Sequence, residues 1–379
     1  MLFLAHVRNG RTDSHARDRG NTLNRPAFLP CAALLAAVLL LAGCSFGGEA
    51  KLPTLKPEPT SPPPSKLEGI PVDHSGFRLV MATSPPSMLD PATGATTPLP
   101  GAPGGDRVND VIRVGKFPVV LSAGRCGPSC LEPSEVLVYG DPKNQPWKLG
   151  KARSVAPAAD ESGVWLIRDD GNDLCRLQYV SLLGVERGRG RPASCTMAVR
   201  QEVPQGLLIT VNTGTATAED VLIDPATGRA VRQFPRVLAL TKDRMLLAEL
   251  TEFSVLDLRN NERTPVKRPV ANGTPGAAVP SRDGYKVAVL FGDPAWAGTA
   301  TQTADVWVLA LDTLTWTHAP SNPIATELKR VAVEWTEDDS LVLATDVVAS
   351  WRLDRPQWTV VKTALPAERN RSVVTIGQG

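Results

Sequence analysis

Beyond residue 71 the chain alternates apolar and polar residues with period two in short runs, and no stripe of period 3.6 follows. These runs are separated by turns rich in Asp and Gly. Asp90-Pro91-Ala92-Thr93-Gly94 recurs verbatim as Asp224-Pro225-Ala226-Thr227-Gly228. Looser copies fall at Asp141-Pro142, Leu183-Gly184, Asp257-Leu258, Asp312-Thr313 and Asp354-Arg355. These anchors lie 33 to 55 residues apart, with a mean of 44. A second kind of turn precedes several of them. Val279-Pro280-Ser281-Arg282-Asp283-Gly284 leads into a strand over 285–290, and Trp335-Thr336-Glu337-Asp338-Asp339 into one over 341–344. Leu240-Thr241-Lys242-Asp243 and Ala156-Pro157-Ala158-Ala159-Asp160 do the same before 245–248 and 164–167. Asp and Gly suit tight hairpin turns, and β-branched or apolar residues suit the strands beside them. The clearest unit runs from 273 to 320, with strands over 286–291, 305–311 and 315–318 and a long loop over 292–304.

Units of four short strands repeating every 44 residues predict an all-β fold, a seven-bladed β-propeller with six or eight blades as the neighbouring counts. A sandwich also has many short strands but does not explain evenly spaced anchors. The pattern resembles the WD40-like and TolB-like propellers, with the Ser-x-Asp-Gly hairpin at Ser281–Gly284 as the best match; the Gly-His and Trp-Asp signatures of true WD40 repeats are missing. Closure of the ring is expected from the β-prone segment 372–376 pairing with blade one near 77–82. Trp147, Trp165, Trp307, Trp316, Trp335, Trp351 and Trp358 are expected to pack between blades.

The N-terminal part has a different pattern. Arg8, Arg11, Arg17, Arg19 and Arg25 precede a 16-residue apolar run over 27–42 that contains Pro30. That is the order of a secretory signal, and the run is short for a membrane-spanning helix, which needs about 20 residues. The run ends in Leu41-Ala42-Gly43-Cys44, which resembles the bacterial lipobox. The resemblance implies cleavage before Cys44 and a diacylglycerol thioether on its sulfur, so residues 1–43 are read as a lipoprotein signal peptide. Residues 44–70 follow as a lipidated Cys and a disordered linker, with Pro53, Pro57, Pro59 and Pro62-Pro63-Pro64 favouring extended chain. The propeller domain then occupies 71–379.

Charge and cysteine content narrow the function. The formal net charge is +2. Removing residues 1–43, which hold five Arg and two acids, leaves 36 basic and 37 acidic residues. A near-neutral body lacks the basic footprint of a nucleic-acid binder, so nucleic acid is not an expected partner. Four Cys remain in the body, and an even number in an exported domain favours disulfides. The favoured pairs are Cys126–Cys130 and Cys175–Cys195, with a Cys₄ zinc site as the competing arrangement.

No catalytic constellation is legible. The mature chain has two His, His74 and His318, with no triad partners in view, and no G-x-S-x-G occurs. No cofactor is expected. Asp169, Asp170 and Asp173 form the best candidate metal cluster, with Glu337-Asp338-Asp339 a weaker one, and a hairpin turn accounts for the same residues. The basic run Arg187-Gly188-Arg189-Gly190-Arg191 reads as a solvated, flexible loop able to touch anionic lipid or cell-wall polymer. Trp296, in the Gly- and Ala-rich loop 292–304, is a candidate sugar or partner contact. The expected protein is a monomeric, extracytoplasmic lipoprotein held on the cell membrane by lipid on Cys44. Its propeller would serve as a protein-binding or scaffolding module in the bacterial envelope. The rival is a propeller enzyme, a glycosidase, lyase or quinoprotein dehydrogenase, which would need carboxylates or bases with raised pKa clustered at the channel mouth.

Overall fold

The computed structural model describes residues 60–71, 76–83, 85–101, 107–123, 133–141, 143–172, 174–215, 217–249, 252–292, 302–325, 331–345, 347–361 and 373–377. All their regular structure is β, and no described helix is long and apolar enough to cross a membrane. Seven antiparallel sheets follow one another as the blades of a propeller. Blade one combines Phe77–Met81, Ser87–Leu89 and Thr96–Pro98 with Val373–Gly377. Blades two to seven cover 107–152, 154–193, 198–234, 237–266, 274–318 and 332–361. In each of these six the first strand lies innermost and the last outermost.

Each of the seven Asp-type anchors sits in the hairpin between the third and outer strands of its blade. The verbatim repeat folds the same way twice. Asp90 Oδ1 accepts the Ala92 amide at 2.9 Å and Asp224 Oδ1 that of Ala226 at 2.8 Å. Gly94 and Gly228 close the two turns at φ 71 and 72, a conformation open to glycine and costly for other residues.

Seven apolar clusters fill the seven gaps between blades. Alternation explains why. Successive strand residues face opposite sides, so each blade feeds both of its neighbours. On Phe77–Met81, Leu79 packs toward blade seven and Val80 toward blade two. The tryptophans meet expectation: Trp307, Trp335, Trp351 and Trp358 are buried between blades, while Trp147, Trp165 and Trp316 pack against such clusters from their margins. Val373–Gly377 pairs antiparallel with Phe77–Met81, so the C-terminal end supplies the inner strand of blade one and fastens the ring.

The linker departs from its reading as free chain. From Thr60 onward it lies as a strap on blades six and seven. Thr60 bridges to Val270, Pro64–Ser65 runs parallel to Asn322–Ala325, and Gly69–Pro71 adds a fifth strand to the outer edge Trp358–Val361. Leu67 is buried in the cluster between blades six and seven. Asp305 pins the strap, accepting from Ser61 Oγ at 2.5 Å, the Asn272 amide at 2.7 Å and His318 Nε2 at 2.6 Å. Burial, the largest single influence, pushes the Asp305 carboxyl up, but the three bonds together hold it below its usual range. Composition favoured extended chain, and extended chain fits the unpaired edges that outer strands offer. Residues 1–59 lie outside the described residues.

Candidate functional site

The turns that join the inner two strands of successive blades converge at one mouth of the central channel. Their sequences explain their shape. Ser281 Oγ donates to Asp283 Oδ1 at 2.6 Å and accepts the Lys286 amide at 2.9 Å. Thr336 does the same with Asp338 at 2.5 Å and the Ser340 amide at 2.9 Å, and Thr241 Oγ1 accepts the Arg244 amide at 3.0 Å. Each hydroxyl thus substitutes for backbone in closing a hairpin. Five blades, two to six, contribute to a cavity of about 390 Å³ here, lined by Arg113, Glu161, Glu202, Lys242 and Arg282 among others.

Two guanidiniums link blades at the mouth. Arg113, on the inner strand of blade two, reaches Glu334 on the inner strand of blade seven at 4.0 Å. Arg282, in the blade-six turn, pairs with Glu337 at 2.8 Å and donates to Thr375 Oγ1 at 3.2 Å. Thr375 Oγ1 in turn donates to the Trp335 carbonyl at 2.6 Å. Burial pushes the Glu334 carboxyl up to about 7, more than Arg113 pulls it down. Burial likewise lowers the Arg113 guanidinium, whose Nη1 is buried without a hydrogen-bond partner. The mouth therefore presents donors and acceptors fixed from several blades, one underused donor, and one carboxyl that changes charge near neutrality.

The residues singled out in the sequence fall elsewhere. Cys175 and Cys195 form a disulfide with Cα atoms 5.2 Å apart, tying the third strand of blade three to the residue pair just past its outer strand. Asp169 pairs with Arg153 at 2.5 Å and accepts the Gly171 amide at 2.8 Å, and Asp170 pairs with Arg176 at 3.1 Å. Both serve the hairpin between the second and third strands of blade three, and no group able to hold a metal occurs among the described residues. Arg187–Arg191 is not a flexible loop. It lies within Glu186–Ala193, the outer strand of blade three, because its backbone completes the ladder with Leu174–Ser181. Cys44, His74, Cys126, Cys130, Asp173 and Trp296 lie outside the described residues.

Sequence reasoning placed Ser281–Gly284 and Trp335–Asp339 in turns but missed that Arg113, Arg282 and Glu334 meet. The available signal was a charged residue in an otherwise apolar inner strand, as Glu334 is between Val333 and Trp335.

No protein-family model matches the chain, and no curated protein matches it. Solved structures do. A functionally unknown protein from Desulfotomaculum acetoxidans is 14% identical over 80% of this chain and 100% of its own, with a TM-score of 0.49. A proposed 6-phosphogluconolactonase from Bacteroides fragilis is 11% identical over 80% of this chain and 99% of its own, with a TM-score of 0.50. TolB from Acinetobacter baumannii is 9% identical over 67% of this chain and 66% of its own, with a TM-score of 0.38. At these identities the likeness to the Bacteroides protein is one of fold, the β-propeller, and carries no activity with it.

Proposed function

We propose that this is a membrane-anchored, extracytoplasmic binding propeller of the bacterial envelope, lipidated on Cys44, which engages a partner at the channel mouth. The observation that carries the reading is the inter-blade pairing of Arg113 with Glu334, past blade one, and of Arg282 with Glu337 on the adjacent blade. It leaves polar groups for recognition while each carboxylate faces a guanidinium. Glycoside hydrolysis instead needs two carboxyl groups about 5–10 Å apart, flanking the bond to be cut. Glu334 has the raised pKa such chemistry uses, but its described neighbour is a cation. The disulfide in blade three supports export, since such bonds persist in oxidising compartments.

Two measurements test this. Cys44→Ser should move the protein from the membrane to the soluble fraction; unchanged fractionation removes the lipid anchor. Crosslinking of intact envelopes should yield a partner with the wild-type chain that is lost with Arg113→Ala/Arg282→Ala at preserved folding. Retention of that partner by the double variant removes the channel mouth as its site.

A further inference from the structure

The outer strand of blade three carries three arginines with few ties to the fold: Arg191 donates to the Thr227 carbonyl at 3.3 Å and acts on Asp224, and Arg187 acts on Asp160. Arg187, Arg189 and Arg191 are all exposed. None of the three has an ion-pair partner among the described residues, whereas the nearby Arg153, Arg168 and Arg176 each hold an acid. Three cations on one edge with no ion pair between them and an acid repel one another and favour a polyanion.

The strand is shaped to present them. Tyr179 pairs across with Arg187, and Leu177 with Arg191, so four positions of the outer strand oppose two of its neighbour. The excess is taken up at Gly188 and Gly190, whose φ of 72 and 69 allow a bulge that places Arg189 between its two fellows. The buried Gln178 amide holds the bulge by donating to the Arg187 carbonyl at 3.1 Å. Arg187 and Arg191 thus stand two positions apart along the ladder, about 7 Å. The disulfide secures the far end of the strand.

Beneath the arginines lies an aromatic floor. Arg187 covers the Tyr179 ring at 4.2 Å, and Trp165, the next side chain in the row, meets Tyr179 edge-on at 5.6 Å. These residues, with the Pro225-Ala226 turn of blade four, enclose a groove of about 460 Å³. Glu202 borders both this groove and the channel mouth.

We infer that this groove is a binding site for an acidic glycan, a chain of sugar rings carrying carboxylate or phosphate groups. The guanidiniums take the anionic groups in forked hydrogen bonds, and Trp165, the half-buried ring of the floor, takes the apolar face of a sugar ring. A bare polyphosphate would leave the floor unused. Single-stranded nucleic acid would use both features, but the near-neutral body and the disulfide that ties the end of this strand to its neighbour favour an extracellular polymer.

The test titrates the full chain with polygalacturonate, and with dextran of equal length as the uncharged control. Polygalacturonate should bind with an affinity that falls as salt rises, and dextran should not bind. Arg189→Ser, which removes no hydrogen bond made by that side chain in the described structure, should weaken binding about fivefold with unchanged melting. Arg187→Ser/Arg189→Ser/Arg191→Ser should weaken it at least about 20-fold. Equal binding of dextran, no binding of polygalacturonate, or full binding by the triple variant would overturn the inference. Tighter binding of oligothymidylate, or of phosphatidylglycerol vesicles, than of polygalacturonate would overturn it too. None of these results depends on Cys44 or on the channel mouth.

Discussion

The channel mouth and the outer edge of blade three are both rich in arginine, and they treat it in opposite ways. At the mouth each guanidinium reaches a carboxylate on another blade, Arg113 to Glu334 and Arg282 to Glu337. At the edge Arg187, Arg189 and Arg191 project from one strand toward solvent and pair with no acid among the described residues. The difference follows from position. An inner charge is partly desolvated and costs several kcal/mol unless partnered, so the fold supplies its partner. A charge on an outer strand is solvated and can be left for a ligand. Arginine at the mouth therefore belongs to architecture first, and arginine at the edge to recognition.

The largest expected break in this contrast is at the seam under the mouth. Trp335 is fully buried, its indole donates to the Val279 carbonyl of blade six at 3.0 Å, and its carbonyl accepts from Thr375 of blade one. Trp335→Ala should cost about 3–5 kcal/mol in denaturant unfolding. It should also disturb the mouth charges, while glycan binding at the blade-three edge survives wherever the protein remains folded. The edge has its own, smaller support. Replacing Cys175 and Cys195 by Ser opens a link spanning 20 residues and should cost about 3 kcal/mol. Hydrogen exchange should then quicken at 186–193 and leave the inner strands of blade seven unchanged. If the two variants loosened the same amides, mouth and edge would be one cooperative unit and the contrast would fail.

The two regions also differ in how far the sequence reveals them. Turn chemistry is local, so Asp90–Gly94, Asp224–Gly228 and Ser281–Gly284 announce their hairpins, and the spacing of such hairpins announces the blades. The closing strand was legible for a related reason: Val373–Gly377 is a β-prone run with no blade of its own to join. The mouth pairs join blade two to blade seven and blade six to blade seven, and no local pattern encodes a contact between residues on different blades. The strap was misread because Pro-rich composition predicts extended chain without saying whether an edge awaits it. The arginine strand was misread as a loop because Gly188 and Gly190 imitate one; in the fold they make a bulge within a strand.

The smallest effect isolates the mouth from the edge by pH. A carboxyl whose folded pKa is about 7, against an ordinary value of 4.5, binds its proton more tightly in the folded state. Its contribution to stability is complete below pH 4.5 and is lost as pH rises through 7. Between about pH 5 and pH 7 the loss is about 2 kcal/mol, because each tenfold difference in proton affinity is worth about 1.4 kcal/mol. Glu334→Gln cannot ionise and should lose this slope, so the wild type and variant should diverge steadily across that interval in urea unfolding. Arg189→Ser should follow the wild type throughout, because its side chain faces water and touches no titrating group held by the fold. Parallel curves for wild type and Glu334→Gln would mean that Arg113 compensates Glu334 fully despite the 4.0 Å separation. The mouth pair would then resemble an ordinary solvated ion pair, and burial would no longer account for the difference between the two regions.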